Sequence, residues 1–175
     1  MRTLVLTFAA GLLVMLAACN GGSNGNPPTQ PTPDPAAVIG ATGDGLLVIH
    51  PSALGANFAL EVPIRITETG GGTADWTSAR ITFLAADGQE VARRELTADD
   101  IAAGGFTRIA ARQDEAYVLV FQINNTEFDD LTLTLRFVDR SDGELIVVDV
   151  PGTTFDGVDI SLEPLNRPET GHRLE

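Results

Sequence analysis

Large apolar residues alternate with small or polar ones in short stretches spread over residues 38–165. A period of two is typical of β-strands with one buried face. The strictest alternation covers residues 58–67, and it recurs over 131–137 and 79–83. Pro63 interrupts the first stretch. Because proline cannot donate to a β-ladder, this strand is predicted to lie at a sheet edge or to carry a bulge.

Five further segments complete the predicted set of strands. Residues 117–123 and 145–150 are apolar on nearly both faces, which predicts central strands. A short apolar run at 46–49 predicts the first strand, and 89–96 and 106–112 predict weaker strands near sheet edges. About eight short strands separated by turns indicate an all-β domain, an antiparallel β-sandwich. A closed barrel is the alternative.

Turn residues mark the connections between these strands. Asp87-Gly88 and the Ser141-Asp142-Gly143 segment predict tight hairpins, and residues 113–114 predict a third short connection. Thr97 is placed to cap a helical turn over residues 97–100. If consecutive strands run in opposite directions, these three short connections fall at one end of the sandwich.

The long connections are then predicted to meet at the opposite end, together with both termini of the domain. They cover 68–77, 97–104 and 124–130, and they place five candidate binding residues there: Trp76, Phe106, Phe128, Asp129 and Asp130. Exposed aromatic side chains on long loops are typical of binding sites. This hypothesis predicts that Trp76→Ala or Phe128→Ala preserves folding and abolishes partner capture. The alternative is that the aromatic side chains fold inward and close the end of the core.

The first nineteen residues have the pattern of an export signal. Arg2 precedes an apolar run over 4–18, which fits a signal-peptide core and is short for a membrane-spanning helix. The run ends in Leu16-Ala17-Ala18-Cys19, which resembles the lipobox of bacterial lipoproteins. The resemblance implies cleavage after Ala18 and attachment to a lipid bilayer through acylated Cys19. An uncleaved anchor helix or an ordinary secretory signal is the alternative.

Residues 20–35 contain five prolines and three glycines but no large apolar side chain, so they are predicted to form a disordered linker. The predicted organisation has four parts: a signal peptide over 1–18, the lipidated cysteine and linker over 19–37, the sandwich over 38–165, and a frayed polar tail over 166–175. Asn20, rather than aspartate, follows the cysteine. In the lipoproteins that it resembles, this implies the outer membrane if the cell has two membranes, and otherwise the cell envelope.

Charge and cysteine content exclude several classes of function. The chain has 24 acidic and 11 basic residues and a net charge of −13, which argues against nucleic-acid binding. Its single cysteine rules out an internal disulfide, and lipidation would rule out a thiol nucleophile. Acidic pairs in the predicted loops leave one calcium site as a minor alternative. No resident metal or cofactor is predicted.

Catalytic residues are not predicted either. His50 is the only histidine inside the predicted domain, since His172 lies in the tail. His50 ends an apolar strand, which indicates a partly buried structural residue rather than a general base. A serine nucleophile would need such a base and an orienting acid. A calcium-dependent hydrolase is therefore kept only as a remote alternative.

The number of strands, the 76–83 segment before a hairpin and the 114–117 segment before a central strand resemble immunoglobulin-like or fibronectin-like modules of bacterial envelope lipoproteins. The resemblance implies a tyrosine corner, in which the Tyr117 hydroxyl bonds to the backbone, with Leu119 where a core cysteine would stand. The resemblance implies a fold and not a function. The leading hypothesis for function is a non-catalytic module that binds an envelope or extracellular protein or a glycan. The alternative is a structural accessory subunit that contacts its partner through an exposed strand edge.

Overall fold

The computed structural model describes residues 32–54 and 56–173, so the predicted signal peptide, Leu16, Ala17, Ala18 and Cys19 lie outside the described residues. Strands dominate this part of the chain. The elements are β1 (Ile39–Gly43), β2 (Leu47–Pro51), β3 (Phe58–Glu68), β4 (Ala74–Leu84), β5 (Glu90–Leu96), α1 (Ala98–Ala103), β6 (Arg108–Ile109), β7 (Asp114–Ile123), β8 (Asp130–Asp139), β9 (Leu145–Pro151), a 3-10 helix (Gly152–Thr154), β10 (Val158–Ile160) and β11 (Thr170–Arg173).

Two sheets pack face to face. In the first, the strand order is β10-β2-β3-β7-β11, and β1 also pairs with β3; in the second, the order is β5-β4-β8-β9, and β6 also pairs with β4. Apart from the parallel β10–β2 pair, these strands pair in antiparallel fashion. Alternate side chains of both sheets form one apolar core. The domain is therefore the predicted immunoglobulin-like β-sandwich and not a closed barrel.

The sequence predicted that Pro63 marks a sheet edge or a bulge, and this prediction is wrong. β3 lies inside its sheet, with β7 on one side and β1 and β2 on the other. β1 ends opposite Ile64 and β2 begins opposite Glu61, so Pro63 faces the gap between them. Its carbonyl accepts a hydrogen bond from the Asp44 N–H across this gap. The missing proline N–H points the same way, where no ladder donor is needed.

The ends of the sandwich differ from the prediction because the predicted strand over 106–112 is only the two-residue β6. The chain therefore does not cross the domain between β5 and β7, and the direction of every later strand is reversed. Pairing of Asp114 with Thr67 and of Asp139 with Ala74 defines an upper end. This upper end carries the connections 69–73, 97–107, 110–113 and 140–144, whereas 85–89 and 124–129 lie at the lower end.

β9 is an edge strand and not the central strand that its apolar residues predicted. It pairs with β8 alone in its sheet. Leu145 and Val147 are 56% and 50% exposed, because they point away from the core. Ile146, Val148 and Val150 point inward, which accounts for the continuous apolar run in the sequence.

The predicted polar tail is partly a strand. β11 pairs with β7, and Thr170 and Gly171 are buried. The His172 ring nitrogen Nε2 is buried without a hydrogen-bond partner, and burial, followed by the charge of Arg167, lowers the pKa of His172. The Arg173 guanidinium pairs with the Glu115 carboxylate on β7. The domain therefore extends beyond the predicted boundary at residue 165.

The helical turn predicted at Thr97 is confirmed as the start of α1. The Thr97 hydroxyl accepts the Asp100 N–H, and the Asp100 carboxylate accepts the Thr97 N–H at 2.7 Å. This reciprocal pair is a capping box. Ile101 is fully buried, so α1 packs onto the sandwich beside β11. No helix among the described residues has the length and apolar character needed to cross a membrane.

Candidate functional site

The five residues predicted to form one binding surface lie at opposite ends of the domain. Trp76 and Phe106 are at the upper end. Trp76 is 2% exposed, and its ring lies 5.4 Å from that of Phe106, which packs against the core. The indole N–H donates to the Ser78 carbonyl at 3.0 Å. These two aromatic side chains therefore fold inward, and the premise that they are exposed contacts is wrong.

Phe128, Asp129 and Asp130 lie at the lower end. Phe128 is half-buried, and its ring packs against that of Phe83 in a tilted arrangement, with centroids 4.8 Å apart. Asp129 and Asp130 are exposed, and the Asp129 N–H donates to the Leu84 carbonyl at 2.9 Å. Register separates this group from Trp76 by the length of β4, so no common loop surface forms.

Tyr117 makes a different contact from the tyrosine corner that the resemblance implied. Its hydroxyl lies 2.5 Å from Gln113 Nε2 and 3.2 Å from Glu115 Oε2, both of them side-chain atoms. Tyr117 is 1% exposed, and burial raises its pKa to about 12. The hydroxyl thus joins the turn at 110–113 to the aromatic group of Trp76 and Phe106.

His50 is the partly buried strand-end residue that the sequence predicted. Its Nε2 lies 3.2 Å from a Glu61 carboxylate oxygen, and its Nδ1 lies 3.1 Å from the Glu163 carbonyl. The nearby Ser52 hydroxyl donates to Gln122 instead. Within residues 32–54 and 56–173, no group of three or more histidine, cysteine, aspartate or glutamate residues is arranged to hold a metal ion.

The free edge of β9 is the apolar feature that sequence reasoning missed. The Asp139 N–H donates to the Glu144 carbonyl, which fixes the alternation of ladder bonds along β8 and β9. Residues 146, 148 and 150 bond to β8, so the N–H and C=O groups of Leu145, Val147 and Asp149 point to the free edge. The backbone of Pro151 also faces the free edge, but proline carries no N–H, so the row of backbone donors ends at Asp149.

The other edge of the same sheet has the opposite character. Four charged residues of β5 lie along it: Glu90, Arg93, Arg94 and Glu95. Charged side chains on an edge strand discourage pairing with another chain. β9 has no charged residue from Leu145 to Val148. Leu145 and Val147 lie beside Val138 on the outer face of the sheet, where Arg136 pairs in register with Val147. β1 of the other sheet lies next to β9.

The sequence carries only a weak signal for this edge. The apolar run ends in Asp149 and Pro151, and proline is favoured at strand ends and edges, but Pro51 ends the inner strand β2 in the same way. The run alone cannot reveal which alternate residues are inward. Only the pairing of β9 with β8 shows that Leu145 and Val147 are left uncovered.

Two buried carboxylates organise the upper end. Glu68 is 3% exposed and accepts hydrogen bonds from four backbone N–H groups, those of Val38, Gly70, Gly71 and Arg112. Burial would raise the pKa of Glu68, but these bonds outweigh it and hold the pKa below its usual value. The chain is thereby fixed where it enters β1.

Asp139, at the end of β8 in the second sheet, also binds backbone N–H groups. It is 3% exposed and accepts the N–H groups of Ala37 at 2.6 Å and Ser141 at 2.7 Å. These bonds hold the pKa of Asp139 below its usual value against the effect of burial. Ala37 is itself buried, so the last residues of the predicted linker belong to the folded domain.

Comparison with known proteins gives eleven matching chains, all of them solved structures, and three of these are the following. No protein-family model matches the chain, and no curated protein matches it. The Northeast Structural Genomics Consortium target SoR45 is 14% identical with a TM-score of 0.44, and the match covers 67% of this chain and 84% of that one. A protein designated ApaA from Bordetella pertussis is 13% identical with a TM-score of 0.37, covering 69% and 91%.

The third match is the CARDB domain of the PF1109 protein from Pyrococcus furiosus, solved in complex with di-metal ions. It is 12% identical with a TM-score of 0.32, and the match covers 73% of this chain and 98% of that domain. The fold class of the present chain rests on its own strand pairing.

Proposed function

We propose that this chain is a lipid-anchored protein of the bacterial cell envelope whose β-sandwich is a non-catalytic interaction module. We further propose that the module contacts its protein partner through the free edge and outer face of β9. The anchor is supported by the lipobox resemblance at Leu16–Cys19. The contact surface is supported by one observation: the segment of edge strand β9 from Leu145 to Val148 is uncharged and leaves Leu145 and Val147 exposed.

An edge of this composition favours pairing with another strand. The backbone groups of Leu145 and Val147 supply donors and acceptors in one row. An added strand would satisfy them and would bring its own side chains beside the apolar pair on the outer face. Asp149 and Pro151 limit the pairing to a few residues, so the arrangement suits a defined partner strand rather than open-ended growth.

This proposal replaces the hypothesis that loops at one end of the sandwich form the binding surface. It develops the alternative of a structural accessory subunit that contacts its partner through a strand edge. The loop-end hypothesis required exposed aromatic residues at one end, and Trp76 is buried in the core. A glycan partner is not favoured by β9, because the exposed pair Leu145 and Val147 is aliphatic. Wild-type chain should co-fractionate with the partner protein at fixed stoichiometry.

The contact is tested by cross-linking pull-down from intact cells with a matched pair of variants. Val147→Lys places a charge on the β9 edge, and Val91→Lys places the same charge on β5, where Val91 is 49% exposed. We expect the partner recovered with wild type to be lost with Val147→Lys and retained with Val91→Lys. Equal recovery with both variants would show that β9 is not the contact surface.

The anchor is tested separately by mass spectrometry of the intact protein from membranes. We expect a chain that begins at Cys19 and carries acyl groups, and we expect Cys19→Ser to leave the membrane fraction. A membrane-bound Cys19→Ser chain, or a mature chain that begins elsewhere, would contradict lipidation at this residue.

A further inference from the structure

A polar cleft with a volume of about 370 Å³ opens at the upper end of the domain. Its lining includes Asp34, Gly71, Thr73, Arg108, Arg140 and Ser141. Small-molecule sites usually have volumes of about 300–1,000 Å³, so the cleft is large enough for one small ligand. Its lining is polar, which suits a hydrated ligand rather than an apolar one.

Two arginines of the cleft share a single carboxylate. Arg108 Nε lies 3.1 Å from Asp75 Oδ1, and Arg140 Nη1 lies 3.7 Å from the same oxygen. Both side chains are about half exposed, at 53% and 46%. A guanidinium group has five N–H donors, so one carboxylate oxygen leaves most of the donors of this pair free for a second acceptor.

Two other arginines on the surface have at least one carboxylate each. Arg65 has two carboxylates, Asp44 and Asp114, within 3.3 Å. Arg80 has its own partner in Glu95 at 2.9 Å. Arg108 and Arg140 differ from them because they share the single carboxylate of Asp75. The lining contains one further carboxylate, that of Asp34.

The walls of the cleft are held in place by the two buried carboxylates. Asp139 accepts the N–H of Ser141, which lies in one wall of the cleft. It also accepts the N–H of Ala37, two residues after Pro35, which lies in the opposite wall. Glu68 binds Gly71 and Val38 in the same manner. Burying carboxylates is costly, and here it fixes the loops that form the walls of the cleft. A site whose walls are fixed in advance loses less entropy when it binds a ligand.

Three consecutive glycines let these walls approach each other. A Cβ atom at Gly70 or Gly72 would collide with the backbone of residues 35–37. Gly71 has φ +85°, which favours glycine. Each of the three positions therefore requires glycine for its own reason. Together the three glycines let Asp34 and Pro35 reach the cleft that Arg108 and Arg140 line.

We infer that this cleft binds a small sugar acid, a ligand of monosaccharide size that carries one carboxylate beside hydroxyl groups. The paired guanidinium groups match a carboxylate. Thr73 and Ser141 offer hydroxyls, and Asp34 offers an acceptor for ligand hydroxyl groups. The net charge of −13 repels polyanions, so a single anionic group is preferred over an anionic polymer. This inference does not rest on the proposed contact at β9.

The test uses the full chain in detergent solution and calorimetric titration with glucuronate, glucose and inorganic phosphate. We expect saturable glucuronate binding in the millimolar range, with glucose and phosphate each at least tenfold weaker. The double variant Arg108→Gln/Arg140→Gln should lose at least tenfold in affinity. Arg93→Gln/Arg167→Gln, which changes the charge equally on two exposed arginines outside the cleft, should bind like wild type.

Thr73→Val provides a second variant that leaves Asp75 and both arginines in place, and we expect it to weaken glucuronate binding severalfold. The melting temperature of each variant shows whether it is folded. Absence of saturable glucuronate binding up to about 20 mM, or an equal loss in both double variants, would overturn the site. Phosphate binding as tight as glucuronate binding would overturn the assignment to a sugar acid.

Discussion

The indole of Trp76 lies between the two sheets at the upper end and contacts the rings of Phe106, Tyr117 and Phe137, with centroids within 5.6 Å. Phe128 at the lower end touches one ring, that of Phe83. The two side chains look alike in the sequence, because each stands near a predicted loop. In the structure the two side chains differ in burial, so removing them should have different effects on stability.

Trp76→Ala should destabilise the domain by about 3–5 kcal/mol, because it empties a fully enclosed site. Phe128→Ala removes a half-buried ring and should cost about half as much. Urea denaturation followed by circular dichroism measures both values. Equal and small losses would mean that Trp76 is a surface residue, contrary to its 2% exposure.

Glu68 gives a residue-scale prediction about acid stability. Its folded pKa lies below the unfolded value of about 4.3, so its contribution is present above that value and is lost as the pH falls through the folded pKa. Glu68→Gln should cost about 2–4 kcal/mol at pH 7, since an amide cannot accept all four N–H groups. It should also flatten the fall in melting temperature below about pH 4.

The control for this prediction is Glu95→Gln, which removes a half-exposed carboxylate paired with Arg80. We expect it to change stability by less than about 1 kcal/mol and to keep the acid dependence of the wild type. If Glu68→Gln retained the full acid dependence, the hydrogen bonds to Glu68 would not be the source of that dependence.

At the scale of elements, β9 shows what alternation can and cannot predict. The sequence predicted a strand over 145–150, and the structure confirms it within one residue at its end. Its place in the sheet was wrong, because an apolar run looks the same whether its outer face is covered or bare. Which face is covered depends on the neighbouring strand, which lies far away in the sequence.

Because only alternate residues of β9 bond to β8, proline substitutions at two adjacent positions should have different effects on stability. Val147→Pro removes an N–H that points to the free edge, so the domain should fold with a loss below about 1 kcal/mol. Val148→Pro removes a bond to Leu135 in β8 and should cost about 3 kcal/mol or more. Thermal unfolding of both variants decides the register, and equal losses would contradict it.

The prediction of loop positions failed through one element. The two-residue β6 was expected to cross the sandwich as a strand over 106–112. This single error moved every later loop to the wrong end and joined Phe128 to Trp76. Alternation over 106–112 is weak, and nothing in that segment indicates that Phe106 would turn into the core beside Tyr117.

At the scale of the whole molecule, the last described strand, β11, completes one edge of the first sheet. β11 covers the edge of β7, and a Cβ atom at Gly104 after α1 would collide with the Gly171 backbone, which shows how closely the two segments pack. The polar composition of residues 166–175 predicted a frayed tail. In the structure, Gln122 binds the Glu169 carboxylate and the Arg167 carbonyl, so hydrogen bonds rather than apolar side chains attach this segment. Composition alone does not reveal such a strand.

Deleting residues 170–175 should destabilise the domain by about 2–4 kcal/mol, because it exposes β7 and uncovers α1. The new edge would carry the apolar run 117–121, so the truncated chain should self-associate at high concentration. Analytical ultracentrifugation of the truncated and complete chains measures this. A monomeric truncated chain of unchanged melting temperature would show that β11 is dispensable.

The buried carboxylates that receive the entering chain also have a mechanical consequence. A pull applied through the residues before Pro35 reaches the N–H groups of Ala37 and Val38 before it reaches β1. Asp139 and Glu68 hold those groups from two different sheets, so the load is divided across the sandwich instead of peeling β1 from β3. The domain should therefore yield at a higher force near neutral pH than in acid, where the two carboxylates are protonated.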